Sequence, residues 1–222
     1  MNASVRRSWS CVLFDLDGTI LDSAPGILSS LSDTFAHVGL SVPPQDELIH
    51  YIGPPLLESL QTRAGLSLDE ARSTLDIYRR EYRKDGAFDA AIFPGVEGLL
   101  ESLHEAGTPV AVATSKPESQ AVRILDHFDL MKYLTAVAGA SDDESHSSKA
   151  DIVGRAVSEL QNSGADTSLA VMVGDRIYDV EGAQAHDIPS IIVEWGYGSP
   201  EEAKNAMATV YSADQLRELL LG

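Results

Sequence analysis

The sequence predicts an α/β fold, a parallel sheet with helices on both faces, interrupted once by an inserted helical unit. Three observations carry this. From Phe93 onward, short runs without charge alternate with segments of helical spacing. Those runs are apolar on both faces, as strands are when helices cover both sides of a sheet. Between about Ser23 and Ala91, by contrast, only helical spacing occurs, punctuated by glycine and proline. A chain of 222 residues accommodates a core plus a smaller inserted unit.

The elements follow in order. A first strand is expected at 11–14, Cys-Val-Leu-Phe, running into Asp15, Asp17, Gly18 and Thr19. Helical spacing then relates Leu28, Leu31 and Phe35; Leu56, Leu57 and Leu60; and Leu75, Tyr78 and Tyr82. With breaks at Gly39, Pro43-Pro44, Gly53-Pro54-Pro55, Gly65 and Gly86, this reads as about four helices. Pro94-Gly95 opens a helix through Leu99, Leu100 and Leu103, which Gly107 stops. Strands are predicted at 109–114, 134–138, 169–173 and 188–193, and helices at 118–128, 149–160 and 180–186. The tail, 213–221, is an amphipathic helix with Leu216, Leu219 and Leu220 on one side. The expected division is an α/β core of 1–20 and 93–222, with an inserted helical unit at 21–92.

Composition narrows the partners. There are 34 acidic against 16 basic residues, a formal net charge of −18. So acidic a surface argues against nucleic acid and anionic membranes, and leaves an anionic ligand to local positive features. A single cysteine, Cys11, excludes an internal disulfide and suits a reducing compartment. The apolar stretch after Arg6-Arg7 ends at Asp15, too short for a signal core or a membrane span. The expectation is a soluble, cytoplasmic protein, monomeric or weakly dimeric.

Chemistry concentrates at the predicted carboxyl ends of strands, where α/β folds bind ligands. Asp15 and Asp17 lie one residue apart at the first. Turn chemistry explains Asp17-Gly18 but not Asp15, which still sits on the apolar run. Like charges this close are costly without a cation between them. A second acidic pair, Asp175 and Asp179, follows the strand at 169–173, and four-residue spacing places the two on one helical face. Helix capping accounts for one of these acids, not both. Four carboxylates at one site call for a hard divalent cation with oxygen ligands, Mg2+. The six histidines are scattered and form no zinc-like cluster. Thr114 ends another strand, where its hydroxyl and the following amides could hold an anionic oxygen. Lys149 opens a helix, against the dipole, and that misfit suggests a specific task such as balancing a phosphate.

Together these motifs resemble the haloacid dehalogenase superfamily: Asp15-x-Asp17-Gly18-Thr19, then Thr114, Lys149, and Gly174-Asp175-x-x-x-Asp179, in order along nearly the whole chain. The helical insert resembles the cap of the phosphoglycolate phosphatase-like branch. Tyr51-Ile52-Gly53-Pro54-Pro55-Leu56, Thr114-Ser115-Lys116-Pro117, Gly182-Ala183 and Trp195-Gly196-Tyr197-Gly198 resemble its 5'-nucleotidase-like subgroup. In one departure, His146 stands three residues before Lys149, where members of the branch tend to carry arginine.

The resemblance implies a Rossmann-like core and a Mg2+-dependent phosphatase acting on a small phosphorylated metabolite, phosphoglycolate- or 5'-nucleotide-like. Asp15 is then the nucleophile and Asp17 the acid and base. Thr114, Ser115 and Lys149 hold the phosphoryl group. Asp15, Asp17 (through its main-chain carbonyl), Asp175 and Asp179 hold the metal. Gly53, Pro54, Arg79 and Arg83 are candidate substrate contacts in the cap. A sugar phosphomutase shares all four motifs and is the alternative enzyme. A regulatory or binding module that keeps the fold is the non-catalytic alternative.

Overall fold

The computed structural model describes residues 9–141 and 147–222. The chain opens with β1 (Cys11–Phe14), whose four side chains are all buried. A tight turn follows, in which the Leu16 carbonyl accepts from the amides of Ile20 and Leu21 at 3.0 and 2.9 Å. β2 (Leu21–Asp22) then pairs antiparallel with β3 (Ala91–Ile92), so a two-strand ribbon gathers both ends of the segment between them. That segment holds α1 (Ala24–His37), α2 (Gln45–Leu48), α3 (Leu56–Thr62) and α4 (Leu68–Lys84).

Beyond the ribbon the chain alternates. α5 (Val96–Glu105) leads to β4 (Val110–Pro117), and α6 (Glu118–His127) to β5 (Ala136–Ala140). α7 (Lys149–Asn162) leads to β6 (Ala170–Gly174), and α8 (Ile177–Gln184) to β7 (Ser190–Val193). β8 (Ala208–Val210) and α9 (Ala213–Leu221) close the chain. Six strands form one parallel sheet in the order β5-β4-β1-β6-β7-β8. The order reverses at β1, so the crevice outside its carboxyl end is the place where such a sheet binds ligands.

The two-residue period of β1 divides the core. Cys11 and Leu13 pack with Ile152, Val153 and Ala156 of α7 and Ala183 of α8. Val12 and Phe14 belong to the other face, with Leu99 of α5, Ile124 of α6 and Leu216 of α9. The α1–α4 segment joins that second cluster through Leu31, Phe35, Tyr78 and Tyr82. Within it, Phe35 meets Tyr51 edge-on at 5.7 Å, and Tyr78 stacks on Tyr82 at 5.5 Å. α4 buries Ala71 and Leu75 on the same side, and a capping box of Ser67 with Glu70 fixes its start.

Several predicted boundaries shift for physical reasons. α8 begins at Ile177, not Val180, because the Asp179 carboxylate accepts from the Arg176 amide at 3.0 Å and closes the first turn. β7 begins at Ser190, after Pro189, which has no N–H to offer a neighbouring strand. The three-residue edge strand β8 carries no recognisable alternation and was not expected. No helix among the described residues is long and apolar enough to cross a membrane.

α1 and the turn after α4 touch through two glycines. A Cβ on Gly26 would meet the Gly86 carbonyl oxygen at 2.0 Å. Gly26→Ala is therefore expected to destabilise the chain by roughly 1–3 kcal/mol, the usual cost of overpacking. Urea unfolding measures this, and an unchanged midpoint would contradict the packing described.

Candidate active site

Three strand ends build the site. β1 delivers Asp15, whose amide donates to the Val173 carbonyl at 2.8 Å, locking the two strands at their ends. β6 ends at Gly174 and delivers Asp175. The helix that follows brings back Asp179 in its first turn. The sequence reading put Asp175 and Asp179 on one helical face. The structure corrects this: Asp175 precedes the helix, and the two converge because the chain turns sharply at Arg176. A Cβ on Gly174 would lie 2.2 Å from the Asp179 carboxyl carbon, so only glycine admits that approach.

Asp15, Asp175 and Asp179 each offer one carboxylate oxygen to a group lying within 4.8 Å of one another, and all three residues are buried. Lys149, at the start of α7, sits among them. Its ammonium bonds Asp15 directly and Asp179 at 2.7 Å. Ser148 caps that helix by accepting from the Asp151 amide at 3.1 Å, which fixes where Lys149 points. Two of the three carboxylates share that ammonium, the Arg176 guanidinium lies near the third, Asp175, and the electrostatics record the crowding. Burial raises the Asp15 carboxyl to about 7; Lys149 opposes the rise and Asp179 adds to it. Burial, with Asp179 and Asp15 beside it, also holds Asp175 well above the usual carboxylate range. Burial alone would lower Lys149, but the carboxylates outweigh it and keep the ammonium charged. Asp175 Oδ2 accepts from the Tyr197 amide at 2.7 Å, while its Oδ1 is buried with no hydrogen-bond partner among the described residues.

Asp17 faces elsewhere. One oxygen accepts from Ser23 Oγ at 2.6 Å and the other meets the Lys116 ammonium at 3.1 Å. Lys116 in turn donates to the Tyr82 hydroxyl of α4 at 2.9 Å. The two acids of the first motif thus have different counter-charges, Lys149 for Asp15 and Lys116 for Asp17. Gly18 between Asp17 and Thr19 has φ +91°, and a Cβ there would lie 2.3 Å from Asp175 Oδ2.

A cavity separates the strand ends from the α1–α4 segment. Asp15, Asp17, Thr114 and Ser115 line it from the sheet. Gly53, Pro54 and Arg79 line it from the opposite side. Thr114 is buried and its Oγ1 accepts from the Lys116 amide at 3.2 Å, while Ser115 Oγ has no partner among the described residues. Arg83 is not brought to this cavity. It is exposed one turn further along α4, where its carbonyl accepts from Arg123 at 3.2 Å. His146, with the rest of 142–146, lies outside the described residues.

Several contacts here were not singled out from the sequence. Lys116 stands in the sequence only as one member of Thr114-Ser115-Lys116-Pro117. Arg176 donates to the Ile52 carbonyl across the cavity edge and is held by Glu202 at 3.0 Å. The Tyr197 hydroxyl donates to Asp22 at 2.9 Å and accepts from the amides of Ser23 and Ala24 at 2.8 and 3.0 Å. It thereby fastens the start of α1 to the loop that holds Asp175.

A parallel sheet whose central strand ends in a buried acid cluster, with a helical segment over that end, defines an α/β enzyme scaffold of the acid-site type. The chain belongs to the haloacid dehalogenase-like hydrolase family, whose model matches residues 12–193. Among curated proteins, it is 41% identical to the tyrosine-protein kinase PtkA of Mycobacterium tuberculosis, over 98% of this chain and 75% of that protein. It is 34% identical to a 5'-nucleotidase of Pseudomonas aeruginosa, over 94% of each. Among solved structures, a protein described as a predicted phosphatase from Clostridium acetobutylicum superposes with a TM-score of 0.90 at 38% identity, covering 96% of this chain and 98% of that one.

The raised carboxyls carry a pH dependence. Asp15 titrates at about 7 in the folded chain against an ordinary 3.8. Between these values the folded state keeps a proton that the unfolded state has released, so stability falls as pH rises. A cation held by the ionised cluster would displace that proton. If these carboxylates hold a divalent cation, the rise in Tm on adding excess Mg2+ is expected to be larger at pH 8 than at pH 5, read by thermal unfolding with and without chelator; an equal increment at both would contradict cation binding by the cluster.

Proposed function

We propose that this chain is a Mg2+-dependent phosphatase that hydrolyses a small phosphate monoester, phosphoglycolate- or 5'-nucleotide-like, through an aspartyl-phosphate on Asp15. One observation carries the reading. Asp15 and Asp17 lie one residue apart yet have separate surroundings, one in a carboxylate cluster with Lys149, the other beside Lys116. That separation suits two roles. Family membership and the names of the relatives support phosphoryl chemistry.

The residues present fit a hard divalent cation. Three carboxylates crowd together with one ammonium shared by two of them, the donors are all oxygens, and the buried Asp175 Oδ1 lacks a partner among the described residues. Asp15, Asp175 and Asp179, with the main-chain carbonyl of Asp17, would hold it. When bound, the cation supplies charge neutralisation for the phosphoryl oxygens and the carboxylates. Lys149 stays charged between Asp15 and Asp179 and neutralises a phosphoryl oxygen as well. Thr114 and Ser115 offer hydroxyls to the same oxygens, and the Ser115 hydroxyl has no competing partner among the described residues.

In the first step an Asp15 carboxylate oxygen bonds to phosphorus as the ester P–O bond breaks, and Asp17 gives its proton to the leaving oxygen. In the second, Asp17 takes a proton from water, whose oxygen bonds to phosphorus while the Asp15–phosphorus bond breaks. Phosphate and the free carboxylate result. Positioning and electrostatics do most of the work in such a transfer. Residues 21–92 form the cap in this reading. Arg176 and Lys116 reach it from the sheet side, at Ile52 and Tyr82, and hold it over the site against bulk water.

Asp15→Asn is expected to abolish phosphate release from a panel of esters with Mg2+. Asp17→Asn is expected to lower turnover by roughly 10²–10⁴-fold. Full activity of the Asp15 variant would overturn the nucleophile.

A further inference from the structure

Trp195-Gly196-Tyr197-Gly198, the stretch that follows β7, takes no part in the two-step reaction, yet it touches both parts of the chain. On one side it is pressed onto Asp175. A Cβ on Gly196 would lie 2.3 Å from the Asp175 Cβ, and one on Gly198 would lie 2.0 Å from the Asp175 carbonyl oxygen. Between these glycines the Tyr197 amide holds Asp175 Oδ2, which leaves Oδ1 as the oxygen without a partner among the described residues. On the other side the stretch reaches both connections into the α1–α4 segment. The Trp195 indole N–H donates to the Thr19 carbonyl at 3.1 Å, just before β2. Its ring centre lies 6.5 Å from that of Phe93, just after β3.

The start of α1 shows what the Tyr197 hydroxyl does. The first amides of a helix are commonly satisfied by the side chain of its own N-cap residue. Ser23 is of the right type, but its hydroxyl turns to Asp17 at 2.6 Å and makes no cap bond. Pro25 has no N–H, and the Gly26 amide goes to the Asp89 carbonyl at 3.0 Å. The two amides that remain, of Ser23 and Ala24, both donate to the Tyr197 hydroxyl, which gives its own proton to Asp22. Its one donor and two acceptor positions are then all used. Burial, with Asp17 and Asp22 beside it, keeps that hydroxyl protonated. α1 is thus capped by a side chain from outside its own segment. We propose that Tyr197 is a positioning residue that ties the seating of the α1–α4 segment to the orientation of the Asp175 carboxylate. Its hydroxyl completes α1 only when the segment is docked, and its amide sets which oxygen Asp175 presents. This rests on the phosphatase reading and deepens it, since there Asp175 holds the cation and the segment covers the site. Coupling through one residue is reciprocal: a cation at Asp175 steadies the start of α1, and a loosened α1 weakens the cation's hold.

The test reads binding and exchange rather than turnover, so it stands apart from whether the chain releases phosphate. Tyr197→Phe keeps the ring and the amide and removes only the hydroxyl. Trp195→Phe, the second variant, keeps a ring beside Phe93 and loses the bond to Thr19. Mn2+ affinity of the full chain is measured by electron paramagnetic resonance of the free ion, and amide hydrogen exchange is followed with and without Mn2+. In the wild-type chain Mn2+ is expected to slow exchange at the start of α1. In Tyr197→Phe the Mn2+ Kd is expected to rise roughly fivefold or more, and that slowing to shrink several-fold, while exchange in β1, β4 and β6 stays at the wild-type rate. Trp195→Phe is expected to move both readouts in the same direction, and thermal unfolding reports that each variant is folded. A Mn2+ Kd within twofold of wild type in both folded variants, or undiminished slowing at α1, would overturn the coupling. Faster exchange spread evenly over the sheet would overturn it too, since that marks general destabilisation. No phosphate release by a wild-type chain that shows the coupling would overturn the phosphatase reading alone, and no Mn2+ binding by the wild-type chain would overturn both.

Discussion

Three buried carboxylates gathered at one place, two of them sharing a buried ammonium, are the constraint on which this structure turns. Asp15, Asp175 and Asp179 converge at a place from which water is largely excluded, with Lys149 between Asp15 and Asp179. Such an arrangement is unfavourable by itself, since taking charges from water costs more than one counter-charge returns. The rise of Asp15 and Asp175 above ordinary carboxylates expresses that cost. In the proposed reading a divalent cation would balance the sum, and Lys149 with the hydroxyls of Thr114 and Ser115 would meet the further negative charge of a phosphoryl group.

The fold supplies the means to hold so unfavourable a cluster. Parallel strands bring Asp15 and Asp175 to the same edge of the sheet, and the register between β1 and β6 sets their spacing. Glycines at 18 and 174 let carboxylates approach the backbone where a Cβ would collide. Tyr197 secures both Asp175, through its amide, and the start of α1, through its hydroxyl. Lys116 keeps Asp17 out of the cluster and ties it to Tyr82 of α4. Of the two acids of the first motif, Asp17 is thus linked to the helical segment and Asp15 to the carboxylate cluster.

Much of this was legible in the sequence where the signal is local. A charge-free run ending in Asp15 marks a buried strand with an acid at its end. Lys149 stood out because a lysine at a helix start opposes the dipole. Tyr78 and Tyr82 showed their shared face through spacing. What was hidden depends on how distant elements dock. Arg79 and Arg83 are four apart and share a helix face, so the pattern could not separate them. The position of α4 along its own axis leaves one at the cavity and the other exposed. Lys116 read as one more member of Thr-Ser-Lys-Pro, because its partner Tyr82 comes from a separate part of the chain. β8 was missed because three residues are too few to show a period.

The most direct test of the account is a crystal structure grown with Mn2+ in place of Mg2+ and read by anomalous scattering. The account predicts one strong peak about 2.0–2.3 Å from carboxylate oxygens of Asp15 and Asp175, bonded directly or through water to Asp179, and its loss in Asp175→Ala. An anomalous map with no peak among these three carboxylates, at a Mn2+ concentration that saturates activity, would contradict it.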